Sequence, residues 1–138
     1  MAGALGVSAA DERQELAARV EATRQTARAI RLRLRIKNES GRPLTLVLGG
    51  RPAYDFLVQR PDGTLVWQWQ RGKIVQQILE RRILNPGDEV VFEATWRLVD
   101  ARGRRVPAGE YQVRGVVNLE PPEKIVTDPL PLRLPASP

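Results

Sequence analysis

From Ile30 to Lys37 the chain alternates without a break: Ile30, Leu32, Leu34 and Ile36 are interleaved with Arg31, Arg33, Arg35 and Lys37. Successive side chains of a β-strand point to opposite faces, so this segment sets four apolar groups on one side and four cations on the other. A helix would scatter both sets around its circumference. The segment is therefore a half-buried strand, expected over 29–38. The same split accounts for the basic run as the solvent side of that strand.

The remaining chain reads as further short strands separated by turn chemistry. Residues 16–22 are ambiguous. Leu16, Val20, Thr23, Ala27 and Ile30 fit a helical spacing, whereas Leu16, Ala18, Val20 and Ala22 fit a strand. Local propensity favours helix, but the strands that follow favour strand, which is the assignment made. Strands are expected at 44–48, 54–59 and 64–69, the last two joined as a hairpin by Pro61-Asp62-Gly63. Residues 70–84 carry paired apolar residues and read as a helical turn or an irregular crossing strand. Asn85-Pro86-Gly87-Asp88 is a turn, and 89–98 is a long strand with Val90, Phe92, Ala94, Trp96 and Leu98 on its core face. A cationic hairpin loop is expected at 100–107 and a strand at 111–119. Pro129 and Pro131 mark 124–134 as an edge strand, since proline cannot donate to a ladder. Seven to nine short strands with no strand–helix alternation predict an all-β, immunoglobulin-like antiparallel β-sandwich.

Composition narrows the chemistry. The 138 residues suffice for one domain with its own core. There is no cysteine and no histidine, which removes disulfides, thiolate sites, the usual general base at neutral pH and the commonest metal ligand. Serine occurs only as Ser8, Ser40 and Ser137, so no Ser-His-Asp triad can be assembled. No phosphate loop or calcium loop is present, and no apolar run approaches the ~20 residues of a membrane helix. No catalytic residue, metal site or cofactor is expected. The net charge of +6 comes mostly from arginine, and it raises the question of an anionic partner. Nucleic acid is disfavoured, because no aromatic residues are interleaved with the cations of the basic strand.

Several residues stand out. Trp67 and Trp69 share a strand face with Leu65 and are expected to fill space between sheets, the other use being to stack on a ring. Trp96 is a core residue. Asp55, between Tyr54 and Phe56, is expected to cap a turn or sheet corner. Gly109-Glu110-Tyr111 after Pro107-Ala108 reads as a corner tyrosine whose hydroxyl bonds backbone. Arg102-Gly103-Arg104-Arg105 is either a solvated tip or an element that steers an acidic partner or enters a protease cleft.

The order of these motifs resembles the bacterial BsuPI intracellular proteinase-inhibitor family. The series runs Asn38-Glu39-Ser40, Tyr54-Asp55-Phe56, Asp62-Gly63, Trp67-Gln68-Trp69, Gly72-Lys73, Gln77, Asn85-Pro86-Gly87-Asp88, Trp96 and Pro107 to Tyr111, over roughly 16–119. Departures occur at Gln70, where the family tends to have serine, and at Val75, where it tends to have phenylalanine. The proline-rich C-terminal stretch is an extension beyond the resemblance, and the β-sandwich domain is expected over 15–134 between tails at 1–14 and 135–138. The resemblance implies a non-enzymatic monomer that blocks a serine protease through an exposed loop. The loop expected to do so is 100–106, through Arg102, Gly103, Arg104 and Arg105; the second choice is 79–84. The alternative is a non-inhibitory binding or scaffold module. The family implies a cytoplasmic location, whereas Met1 to Ala10, if the stump of an export signal, implies export.

Overall fold

The computed structural model describes residues 15–136. They form ten strands. These are β1 (Leu16–Thr26), β2 (Ala29–Asn38), β3 (Leu44–Arg51), β4 (Tyr54–Gln59) and β5 (Leu65–Gln68). They continue with β6 (Gln76–Leu84), β7 (Glu89–Trp96), β8 (Gly109–Asn118), β9 (Lys124–Val126) and β10 (Leu130–Leu134). No helix occurs among the described residues. All pairings are antiparallel.

β2 is the centre of the first sheet, ordered β1-β2-β7. The alternation seen in its sequence is realised: Leu32, Leu34 and Ile36 are wholly buried, while Arg31, Arg33 and Arg35 face outward. The second sheet runs β10-β8-β4-β5, with β9 also on β8. Phe56 and Val58 of β4 and Val113 and Val117 of β8 share one apolar core with β2, Val20, Val90 and Trp96. The two sheets approach closely at Gly115, where an added Cβ would lie 2.7 Å from Leu34 Cδ1. A third, two-stranded sheet, β3-β6, is stitched to the end of β8 by a Leu48–Leu119 bridge and by the Glu120 amide donating to Val47 O.

Four expectations need correction. Residues 76–84 are a regular strand, not a helical turn; β6 lacks the usual alternation because only Leu84 of it is buried. The stretch 124–134 is two strands rather than one, both on β8, divided at Thr127, whose hydroxyl accepts from the Gly115 amide at 2.9 Å. These changes raise the strand number to ten. Leu65 does not share a buried face with the tryptophans. A register shift between Val58 and Gln59 turns Val66 inward and leaves Leu65 41% exposed. Finally, residues 97–108 do not join a hairpin of long strands. They cross from β7 in one sheet to β8 in the other, with a single Val99–Arg105 bridge making a small local hairpin.

Candidate functional site

Most of the singled-out residues are found holding the backbone. Asn38 is fully buried: its Nδ2 donates to Arg42 O and Leu84 O, both at 2.8 Å, and its Oδ1 accepts from the Ser40 amide and hydroxyl. One side chain thus ties β2, the following turn and the end of β6. Asp55 is buried and its Oδ1 accepts from the amides of Phe56 and Gln70, while Oδ2 accepts from Gln68 Nε2. Both oxygens of the carboxylate are thus engaged in holding the chain. Gly63 and Gly87 supply the positive φ of the two turns in which they lie, with Pro86 beside Gly87.

The aromatic residues pack in two groups. Tyr54 is stacked between Trp69 at 4.6 Å and Phe92 at 4.7 Å, and Lys73 Nζ lies 4.7 Å from the Trp69 ring centre. The stack bridges the two sheets. Burial, with a smaller push from the Glu93 charge, raises the Tyr54 phenol above its ordinary value. Trp96 lies at the core between Trp67 and Tyr111. The corner reading of Tyr111 agrees with the geometry: its hydroxyl donates to Pro107 O at 2.6 Å, two residues before β8 begins at Gly109.

Two cations of the basic β2 face, Arg33 and Arg35, meet acids on neighbouring strands. Arg33 pairs with Glu93 on β7, and Arg35 pairs with Glu21 on β1 at 2.9 Å and with Glu89 on β7 at 3.2 Å. The Arg35 hydrogen bond holds the Glu21 carboxyl below its usual range. Glu89 and Glu93 sit at period-two spacing on the outward side of β7; that was the available signal that the cations would be neutralised. Pairing of this kind leaves Arg33 and Arg35 little to offer a phosphate backbone.

Two exposed elements remain. The first is the 99–107 crossing. Its tip is closed on itself: the Asp100 amide donates to Arg104 O, the Gly103 amide to Asp100 O, and Asp100 Oδ1 accepts from the amides of Arg102 and Arg104. Gly103 has φ 77°. Those amide bonds, the Arg104 one foremost, hold the Asp100 carboxyl below its usual range. Arg102, Gly103, Arg104 and Arg105 are exposed, but on a tight turn and not on an extended segment.

The second is β6. It pairs with β3 along one edge, Leu79 opposite Gly49 and Ile83 opposite Thr45. Ile78 is 39% exposed, Leu79 53% and Ile83 68%. Arg81 lies between Leu79 and Ile83 on one face; on the other, Glu80 reaches Arg51 at 3.6 Å and Arg82 at 3.5 Å. An extended strand with large apolar side chains in solvent is a template for another chain. Among the described residues no group of three or more acidic, histidine or cysteine side chains could hold a metal ion.

Residues 15–122 match the family model described as BsuPI, intracellular proteinase inhibitor. No curated protein matches the chain. Among solved structures it is similar to a b-glucosidase, EmGH1, of Erythrobacter marinus, at 14% identity and TM-score 0.38, over 81% of this chain and 15% of that one. It is similar to β-glucosidase 3B of Thermotoga neapolitana at 20% identity and TM-score 0.37, over 83% of this chain and 16% of that one. A Bacteroides uniformis β-glucuronidase 2 shows 15% identity and TM-score 0.37, over 81% of this chain and 12% of its own. These likenesses say nothing of this chain's activity.

Proposed function

We propose that this chain, which belongs to the BsuPI family of intracellular proteinase inhibitors through residues 15–122, blocks a serine protease by laying the free edge of β6 along the enzyme's substrate-binding strand. One observation carries the choice of element. β6 is already extended over nine residues and presents Leu79 and Ile83 to solvent on one face. Edge pairing takes its affinity from main-chain hydrogen bonds and its selectivity from alternate side chains. Little ordering entropy is left to lose, because β3 holds the strand in place. Leu79 and Ile83 suit the apolar pockets of a subtilisin-like enzyme.

The arginine tip supports this role less well. Residues 102–105 would have to open their turn hydrogen bonds to lie extended in a cleft. We read the chain as non-enzymatic, since it lacks histidine and its buried carboxylate, Asp55, is consumed by the backbone and Gln68. The sheet order and the corner tyrosine support the immunoglobulin-like form of the sandwich.

The test is a pair of variants. Leu79→Lys with Ile83→Lys should leave stability within ~0.5 kcal/mol, since both side chains are exposed, and should abolish inhibition of a subtilisin-like protease. Arg104→Glu with Arg105→Glu should inhibit as the parent does. The reverse pattern would transfer the contact to the arginine tip. Parent protein that inhibits nothing at large excess would instead support a binding or scaffold module.

A further inference from the structure

Several arginines of the molecule meet carboxylates. Arg33, Arg35, Arg42 and Arg51 are paired with Glu93, Glu21 and Glu89, Glu15, and Glu80 respectively. Others do not, and three of these lie together at the end of the sandwich remote from β6. β4 runs from Tyr54, opposite Val117 and near the β3 stitch, to Gln59, opposite Gln112, so Arg60 and the 99–107 crossing lie at the far end. There, Arg60, Arg102 and Arg105 reach no carboxylate among the described residues. Together with Arg104 and Asp100 they line a cleft of about 290 Å³ whose apolar wall includes Leu65 and Val66. The one acid in the cleft is already engaged. Asp100 accepts from two amides and stands 3.4 Å from Arg104 Nε.

The wall that carries these cations is tied down at both ends. Trp96 Nε1 donates to Val99 O at 2.8 Å, and the Tyr111 hydroxyl donates to Pro107 O. The Val106 amide closes onto Leu98 O at 2.9 Å. Leu98 itself is buried with φ 61°, a left-handed conformation that disfavours a side chain and persists where the surroundings enforce it. Two core aromatics thus spend their polar atoms on one short crossing, and the result is an anchored backbone beneath the exposed arginines.

We propose that this cleft is a carboxylate-binding site that accepts an acidic, extended peptide segment of a partner protein. Planar guanidinium forks match carboxylates in a bidentate way. The apolar wall takes the side chains between the acids. A nucleobase would find no open ring to stack on, because Arg60 covers Tyr111, its guanidinium carbon 5.4 Å from the ring centre. The proposal is independent of the protease reading, since its test uses no protease.

The probe is a labelled peptide of alternating glutamate and leucine, titrated with the whole chain and followed by fluorescence anisotropy at low salt. Saturable binding that weakens as salt is raised is expected. Arg102→Gln with Arg105→Gln, and separately Arg60→Gln, should each weaken it by about tenfold or more. Arg19→Gln with Lys37→Gln removes the same charge from the β1–β2 face and should change it less than about twofold. No binding of the peptide overturns the proposal. So do equal binding of a glutamine-for-glutamate peptide, equal losses from both pairs of substitutions, or a single-stranded oligonucleotide or inorganic phosphate that competes better than the peptide itself.

Discussion

The polar residues buried in this core act on the backbone, and each can be tested singly. Tyr111→Phe removes a 2.6 Å bond and leaves Pro107 O short of a donor; it should cost about 1–2 kcal/mol in urea unfolding. An unchanged midpoint would show that the corner is not anchored through the hydroxyl. Asp55→Ala strands the amides of Phe56 and Gln70 and the Gln68 side chain, and should cost about 3 kcal/mol. Tyr54 gives a pH dependence. Its phenol is raised from an ordinary value of 10.0 by burial, then by Glu93, so the fold favours the neutral form. That contribution is fully present below pH 10.0 and is lost as pH climbs through the folded value. Tyr54→Phe should therefore lose less stability than the parent between neutral pH and pH 11 (roughly the range probed); parallel curves would contradict the burial account. Much at this scale was legible. Tyr111 and Asp55 stood in turn and corner contexts that name their roles. Of the four bonds of Asn38, the one to Leu84 was not legible, because Leu84 reaches it only through the fold.

At the scale of elements, legibility followed burial. β2 is packed on one face and flanked by strands on both edges, so its sequence alternates and its assignment was secure. β6 is exposed nearly throughout, so no core imposed a period on it, and Gln76 to Leu84 read as irregular. The arginine tip was legible as charged but not as closed. The closure depends on Asp100 capping two amides, a signal that was present as an aspartate three residues before a glycine. The docking of β3 on β8 is also testable. An added Cβ at Gly49 would lie 2.1 Å from Leu119 O, whereas one at Gly115 meets the movable Leu34 side chain. Gly49→Ala should cost about 3 kcal/mol and Gly115→Ala about 1–2 kcal/mol. The opposite order would mean that β3 does not lie against Leu119.

Seen whole, the molecule has two unlike ends. One carries β6, with apolar side chains in solvent; the other carries the unmatched arginines of the 99–107 crossing and Arg60. Between them Arg33 and Arg35 of the β2 face are paired with Glu21, Glu89 and Glu93. Composition gives a net charge of +6 but could not have placed Arg60, Arg102 and Arg105 around one cleft. Family membership implies proteinase inhibition, and β6 is the contact we propose for it. The most direct test of that account is a titration of a subtilisin-like protease with the parent chain and with the Leu79→Lys, Ile83→Lys variant, following residual activity and the integrity of the chain. The account predicts stoichiometric inhibition by the intact parent and none by the folded variant. Equal inhibition by both would contradict it.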